Sequence, residues 1–218
     1  MNYLAHGYRY LDRPLFLAGT AVPDWLSVVD RHVRARSRLV LPVVEQTDNP
    51  IVKEVGRGIL QHHQDDDRFH RSEVFQRLEG ELGNRFRTVM PDPYDHRPGF
   101  LGHIVVELLL DAWLAETNSD LLPAYYDAMA KVPAQQVEVS VNQMATRTTN
   151  QLAWFIDRFR DERFLFDYLD NQRLLLRLNQ VMKRVRLPRL EPSVVDVLQE
   201  ARWMVAGEAP QLLNLQTF

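Results

Sequence analysis

The chain has 218 residues, 45% of them hydrophobic and 25% charged, and its 26 basic and 29 acidic residues give a formal net charge of -3. This balance excludes a disordered or fibrous protein, and the lack of a basic excess argues against a nucleic-acid partner. The chain contains no cysteine, which excludes disulfides, iron–sulfur clusters and a thiol nucleophile and leaves His, Asp and Glu as the strong metal ligands.

Apolar residues recur at three- and four-residue intervals along most of the chain, and long alternating runs of β-branched residues are missing. This pattern predicts an all-α fold. No Gly/Ser-rich linker divides the sequence, so we expect residues 1–218 to form a single-domain helical bundle. The most apolar segment, residues 104–115, contains Glu107 and Asp111, so we expect neither a signal peptide nor a membrane span, and a cytoplasmic protein.

The predicted helices of the first half begin with residues 15–36, interrupted near Pro23 because proline removes a donor and clashes with the preceding turn. Asn49-Pro50 is typical of a helix start and predicts the next helix. Ser72 is expected to cap a further helix that ends near residue 84. Residues 87–99 contain three prolines and are predicted to form a loop.

The second half begins with a strongly apolar helix at residues 99–116 and a shorter one at residues 121–131. Residues 133–147 fit either a helix or a loop, because a short alternating stretch inside them resembles a strand. Amphipathic helices are predicted at residues 149–160 and 162–186. Leu187-Pro188 then breaks the chain before a last helix at residues 192–205.

Three polar side chains interrupt the apolar helix at residues 99–116. His103, Glu107 and Asp111 are four residues apart and therefore lie on one stripe. A buried carboxylate is costly unless it is paired or bound to a cation. One interpretation is a structural ion pair with Arg158 or Arg160 from a neighbouring helix, and the one that we favour is metal ligation.

A second stripe, on the helix that begins at Pro50, contains His62, Asp66 and His70 at the same four-residue spacing, with His63 beside it. A solvated helix face is the alternative interpretation. Imidazole and carboxylate ligands suit Mn, Fe, Zn or, with fewer histidines, Mg.

The length of each stripe limits how many of its residues one ion can reach. Side chains eight residues apart are separated by about 12 Å along a helix, so one ion cannot bind both ends of a stripe. We expect two ions, or one ion with a polar floor that positions water and phosphate. Two metals about 3.5–4 Å apart are typical of phosphate-ester hydrolysis.

Two isolated residues, His6 and Asp24, are by themselves best explained as a core histidine and a helix cap. In combination with the stripes, however, they complete an ordered set of motifs that resembles the acyl-carrier-protein phosphodiesterase family. The motifs are Met1-Asn2-Tyr3-Leu4-Ala5-His6, Gly19-x-x-x-x-Asp24, Gly58-Ile59-x-x-His62-x-x-x-Asp66, Glu107-x-x-x-Asp111 and Arg158-Phe159-Arg160-Asp161.

The resemblance implies an all-helical fold related to the HD-type metal phosphohydrolases and a manganese-dependent release of 4′-phosphopantetheine from the carrier-protein serine. It also implies metal or catalytic roles for His6, Asp24, His62, Asp66 and Asp111. The chain departs from the family pattern at four points: Glu107 replaces an Asp, His70 stands near a family Asp, Ala112 replaces a His, and His103 is an additional candidate.

From the residues and the resemblance together, we predict a metal-dependent phosphoric-ester hydrolase with one or two divalent ions, in which water activated by the metal attacks phosphorus. The predicted metal ligands are His6, Asp24, His62, His63, Asp66, His103, Glu107 and Asp111. Asp66, His70, His103 and Arg160 are the predicted catalytic residues: the imidazoles move protons near neutral pH, and the guanidinium holds a phosphate oxygen.

The predicted partners are a phosphoester substrate and an acyl carrier protein, with no nucleic acid and no membrane. Two basic clusters would steer an acidic carrier protein: Arg31, Arg34, Arg36 and Arg38, and Lys183, Arg184, Arg186 and Arg189. The alternative function is a non-catalytic helical module that binds metal or a carrier protein. A di-iron bundle is disfavoured because it needs Glu-x-x-His pairs, and Leu110 stands three residues after Glu107.

Overall fold

The computed structural model describes residues 1–90 and 98–214, which form α-helices and one 3-10 helix but no β-strand. The predicted all-α class is therefore confirmed, while the relationship to HD domains stays a prediction. In chain order the helices are α1 (Tyr3–Gly7), α2 (Pro14–Val29), α3 (Ser37–Gln46), α4 (Pro50–Arg71), α5 (Glu73–Val89), α6 (Pro98–Thr117), α7 (Leu121–Ala130), α8 (Ala134–Asn142), α9 (Leu152–Glu162), the 3-10 helix (Phe164–Leu169), α10 (Asn171–Arg184) and α11 (Val194–Asn214).

The chain folds into two compact units. The first unit contains residues 2–67 and 120–163, and the second contains residue 1 and the described residues of 68–119 and 164–214. Each unit is thus built from separate stretches of sequence, which no linker in the composition indicates. The single-domain organisation stays a prediction, because a compact unit is not by itself an independently folding domain.

The core of the first unit holds the short helix α1 in place. Helix α1 packs on α2 and α7, and α2 also contacts α8 and α9. Three buried aromatic rings meet at these contacts: the ring of Phe159 lies 5.3 Å from that of Trp25 and 6.3 Å from that of Tyr125. All residues of α1 are buried, so His6 faces the interior of this unit.

The second unit is built around α6. Helices α5 and α11 pack on α6 and on each other, and the 3-10 helix lies between α6 and α10. Helix α6 is long and apolar enough to cross a membrane by length and composition alone, but 67% of its most apolar window is buried inside the structure. Burial within the protein therefore accounts for its apolar character.

Helix starts with a local capping signal are confirmed. Asn49 Oδ1 accepts a hydrogen bond from the backbone N–H of Ile51 at 2.9 Å, and Pro50 opens α4. Ser72 Oγ accepts from the backbone N–H of Phe75 at 3.1 Å and begins α5. Side chains capping their own helix are visible in the sequence because donor and acceptor are two or three residues apart.

Several predicted boundaries were wrong. The helix predicted at residues 15–36 continues through Pro23, where an interruption was predicted, and ends at Val29. Helices α1 and α3 were not predicted. The helix predicted at residues 162–186 is two elements, because Arg163 adopts a left-handed conformation (φ 44°) and Asp170 Oδ1 caps α10 by accepting from Arg173 N at 2.9 Å.

Three further segments differ from the predicted boundaries or resolve an open choice. Of the ambiguous residues 133–147, residues 134–142 are helical, and the last helix continues past Pro210 to Asn214. The predicted loop at residues 87–99 is shorter at both ends, since α5 runs to Val89 and α6 begins at Pro98. Residues 91–97 of that loop lie outside the described residues.

Candidate functional site

Three predicted ligands of the first unit, His6, His62 and Asp66, come together as the first group. Each offers one ligand atom, and these atoms all lie within 4.8 Å of one another. His62 and Asp66 are one turn apart on α4, while His6 comes from α1. The group therefore joins residues that are distant in sequence into one arrangement of two imidazoles and a carboxylate.

Two glycines allow the backbones of α2 and α4 to touch beside the first group. A Cβ atom on Gly58 would lie 2.2 Å from the carbonyl oxygen of Phe16, and one on Gly19 would lie 2.3 Å from the carbonyl oxygen of Val55. No larger residue fits at either position without moving a helix. The glycines of the two family-like motifs thus have a structural reason, which is the close crossing of these two helices.

The crossing of α2 and α4 determines which ring nitrogen of His62 carries the proton. Its Nδ1 lies 2.8 Å from the carbonyl oxygen of Thr20 on α2, and a carbonyl only accepts, so Nδ1 carries the proton and donates. The Nε2 atom of the neutral ring then has a lone pair, and it lies 3.2 Å from Asp66 Oδ2. A lone pair that faces a carboxylate is stable only if a proton or a metal ion lies between them.

His6 lies on the other side of the same carboxylate. Its side chain is fully buried, its ring stacks on that of His62 with centroids 4.0 Å apart, and its Nε2 lies 3.2 Å from Asp66 Oδ1. Its Nδ1 faces Asp65 Oδ2 at 3.7 Å. Neither ring nitrogen has the geometry of a hydrogen bond to the described residues, so this buried imidazole has unused ligand capacity.

The charge of Asp66 is stabilised by these neighbours. Burial by itself raises the pKa of a carboxyl group, but the contacts with His6 and His62 outweigh it and hold the pKa of Asp66 well below its usual range. Asp66 is the most accessible member of the first group, with 30% of its side chain exposed. The group therefore presents an ionised carboxylate on the side that solvent reaches.

Three further residues, His70, His103 and Glu107, come together in the second unit as the second group, again with ligand atoms within 4.8 Å of one another. Both Nε2 atoms approach Glu107 Oε1, at 3.0 Å for His70 and 3.2 Å for His103. The α-amino group of Met1 donates to the same oxygen at 3.0 Å.

The second group is also built on a glycine-mediated helix crossing. A Cβ atom on Gly102 of α6 would lie 2.4 Å from the carbonyl oxygen of Glu79 and 2.9 Å from the backbone nitrogen of Gly83, both on α5. At this crossing the Glu79 carboxylate accepts from His103 Nδ1 at 3.2 Å. His103 therefore has one ring nitrogen held by Glu79 and the other directed at Glu107.

The charges of the second group support one another. Burial raises the pKa of Glu107, but the Met1 amino group, His103 and His70 together hold it well below its usual range. Burial lowers the pKa of His103, yet the contacts with Glu107 and Glu79 outweigh burial, so the pKa of His103 is raised. The two carboxylates thus stabilise the cationic form of His103 relative to a free imidazole.

Four predicted site residues belong to neither group. Asp24 lies on α2 four residues after Thr20, and Asp111 is buried one turn after Glu107 on α6. His63 Nε2 donates to the carbonyl oxygen of Ala35 at 2.7 Å, and burial lowers the pKa of this imidazole. Arg160 Nη2 donates to the carbonyl oxygen of Val132 at 2.7 Å, and its Nη1 lies 3.3 Å from Asp157.

Two arginines were considered as ion-pair partners for the carboxylate stripe. Arg158 pairs instead with Glu162 and Arg160 with Asp157, both within α9. The roles predicted for Asp24, His63, Asp111 and Arg160 stay predictions.

The residues that orient the histidines were not predicted from the sequence. Thr20 holds His62 through its backbone carbonyl, which no side-chain pattern reveals. Asp65, which faces His6, is buried and accepts from Gln61 Nε2 at 2.8 Å; the four-residue spacing of Gln61 and Asp65 was the only signal available. Glu79, the partner of His103, lies 24 positions away in the sequence, and no sequence pattern indicated this contact.

Comparisons with known proteins add no relative: no family model, curated protein or solved structure matches the chain. The resemblance to the acyl-carrier-protein phosphodiesterases therefore stays a prediction that depends on the motifs themselves.

Proposed function

We propose that this protein hydrolyses phosphoric esters with a divalent metal ion held by the first group, His6, His62 and Asp66. Two imidazoles and one carboxylate suit Mn, Fe or Zn. Three protein ligands leave coordination positions for water and substrate, which is typical of catalytic rather than closed structural sites.

The observation that carries the proposal is the arrangement of both imidazoles around one carboxylate. His62 Nδ1 is committed to the Thr20 carbonyl, so only Nε2 remains, and it faces Asp66. His6 is buried, and its Nε2 faces the second oxygen of the same carboxylate. Each imidazole thus approaches a different oxygen of Asp66 at 3.2 Å, and one ligand atom from each of the three residues lies within 4.8 Å of the others, close enough to share one ion.

The chain's own groups then have distinct tasks. His62 keeps its proton on Nδ1, because that atom donates a hydrogen bond to a carbonyl oxygen. Its task would therefore be to hold the ion through Nε2 and not to transfer protons. Asp66 is the accessible side of the group, where a phosphoester can approach. A divalent ion bound there would lower the pKa of a water molecule and neutralise charge on the phosphoryl oxygens.

The substrate class is proposed from the family-like motifs and from surface charge. Release of 4′-phosphopantetheine from an acyl carrier protein is the reaction that the resemblance implies. Carrier proteins of this kind are acidic, and the basic cluster of the first unit is accessible: Arg31, Arg36 and Arg38 are exposed and Arg34 is half-buried. We expect this cluster to attract an acidic partner, with an attraction that weakens as salt is added.

The test is turnover with added Mn²⁺ on phosphomonoester and phosphodiester substrates and on holo acyl carrier protein. Asp66→Asn should lower kcat/KM more than about 100-fold, since residues that only orient metal ligands are already worth about 10–100-fold. Asp67→Asn, an exposed carboxylate next along α4, is the matched control and should retain activity. Equal activity of the Asp66→Asn variant and the wild type would contradict the proposal.

A second candidate function is a non-catalytic metal-binding module, which the deep burial of His6 and His62 favours. In that case Mn²⁺ or Zn²⁺ would raise the free energy of unfolding, because an ion that binds only the folded state stabilises it, and none of the phosphoesters would turn over. Metal-dependent turnover that is lost in Asp66→Asn would decide for the hydrolase.

A further inference from the structure

We propose that the second group, His70, His103 and Glu107, is a separate binding site for a late first-row divalent cation, with Zn²⁺ as the preferred ion. It shares no residue with the first group. The inference therefore does not depend on the proposed hydrolysis.

The orientation of His103 supports a metal site. A histidine that binds a metal through one ring nitrogen usually donates from the other to a carboxylate or carbonyl. His103 Nδ1 faces Glu79 Oε1 at 3.2 Å, and Nε2 faces Glu107 Oε1 at 3.2 Å. Glu79 is held against α6 by the Gly83–Gly102 crossing, so the orientation is built into the packing of two helices.

The positions of the two rings match a shared ion. His70 and His103 have ring centroids 4.7 Å apart, and both meet the ring of Phe75 edge-on, at 5.0 Å and 4.9 Å. Phe75 limits the movement of both imidazoles. Their Nε2 atoms lie 3.0 Å and 3.2 Å from Glu107 Oε1, near the separation of about 3.3 Å between two ligands of a tetrahedral zinc ion.

Accessibility distinguishes this group from the first. His70 and His103 are each about one third exposed, at 33% and 34%, whereas His6 is fully buried. An ion can therefore enter and exchange without opening the fold. With two imidazoles and one carboxylate, the donors favour Zn²⁺ over Mg²⁺, which prefers oxygen ligands and retains its waters.

The experiment counts bound ions on the full chain. The metal-free protein is titrated with Zn²⁺ by calorimetry, and with Co²⁺ by visible absorption, which reports the ligand geometry directly. The variants are Glu107→Gln and His103→Ala for the second group and His62→Ala for the first. His32→Ala removes an exposed histidine that belongs to neither group and serves as control.

We expect Glu107→Gln and His103→Ala each to bind one equivalent of Zn²⁺ fewer than the wild type, while His62→Ala and His32→Ala retain the equivalent that those two variants lose. Mg²⁺ in excess should not compete for it. Unchanged zinc stoichiometry in Glu107→Gln and His103→Ala would overturn the inference, and so would loss of that equivalent in His62→Ala.

Glu79→Gln provides a second variant that leaves all three ligands in place, in case either ligand variant loses its helical signal. Because it weakens only the contact that orients His103, zinc affinity at the second group should fall about 10–100-fold. Glu81→Gln, an exposed carboxylate on the same helix, is its matched control. Equal zinc affinities of Glu79→Gln and Glu81→Gln would contradict the site.

Discussion

At the scale of single residues, each group depends on a histidine whose proton is positioned from outside the group. Thr20 does this for His62 through a backbone carbonyl, and Glu79 does it for His103 through a carboxylate. Four members of the two groups were predictable, because His62 and Asp66, and likewise His103 and Glu107, repeat at one helical turn. Their orienting partners were not, because they lie on other helices and follow from packing.

The raised pKa of His103 leads to a residue-scale prediction. In metal-free protein, Glu107→Gln should lower the pKa of His103, because burial opposes the cation and one of the two carboxylates that favour it is removed. Imidazole resonances followed by NMR over pH measure this directly. Glu81→Gln should leave the titration unchanged, and an unaltered His103 pKa in Glu107→Gln would contradict the described contacts.

The raised pKa of His103 also determines how the free energy of unfolding changes with pH. Because the pKa of His103 is raised in the folded state, its contribution to the free energy of unfolding is fully present below pH 6.5. It is lost as pH rises through the folded-state pKa. In the Glu107→Gln variant, the free energy of unfolding should therefore decrease less as the pH is raised.

At the scale of elements, close helix crossings place the groups. The α2–α4 crossing needs Gly19 and Gly58, and the α5–α6 crossing needs Gly102, whose Cβ would lie 2.4 Å from the carbonyl oxygen of Glu79. The sequence showed where α4 and α5 begin, since Asn49 and Ser72 cap their own helices. It did not show α3 or the break before Asp170, because propensity is a weak signal where no strong cap or apolar period is present.

The α2–α4 crossing can be tested with one methyl group. Gly58→Ala should lower the free energy of unfolding by about 1–3 kcal/mol, because its Cβ would lie 2.2 Å from a backbone oxygen. Gly80→Ala is the control: among the described residues, no atom beyond the neighbouring backbone of α5 lies within 4 Å of its Cβ position, so it should stabilise by about 0.5–1 kcal/mol. Denaturant unfolding measures both, and a Gly58→Ala protein as stable as the wild type would contradict the crossing.

At the scale of the whole molecule, the two groups belong to different units. Each unit combines stretches from separate parts of the chain. The helical class followed from apolar periodicity, which every segment carries locally. The division into units did not, because it depends on which helices bury their apolar faces against one another, and composition contains no linker that marks it.

The central claim, that the first group binds a divalent metal, is tested most directly by Mn²⁺ binding in a Glu107→Gln background, where a ligand of the second group is missing. Calorimetric titration should find one equivalent of Mn²⁺, which disappears when His62→Ala is added and remains when His32→Ala is added. Circular dichroism should show the same helical content in all three proteins. Retention of the Mn²⁺ equivalent in the folded His62→Ala protein would contradict the claim.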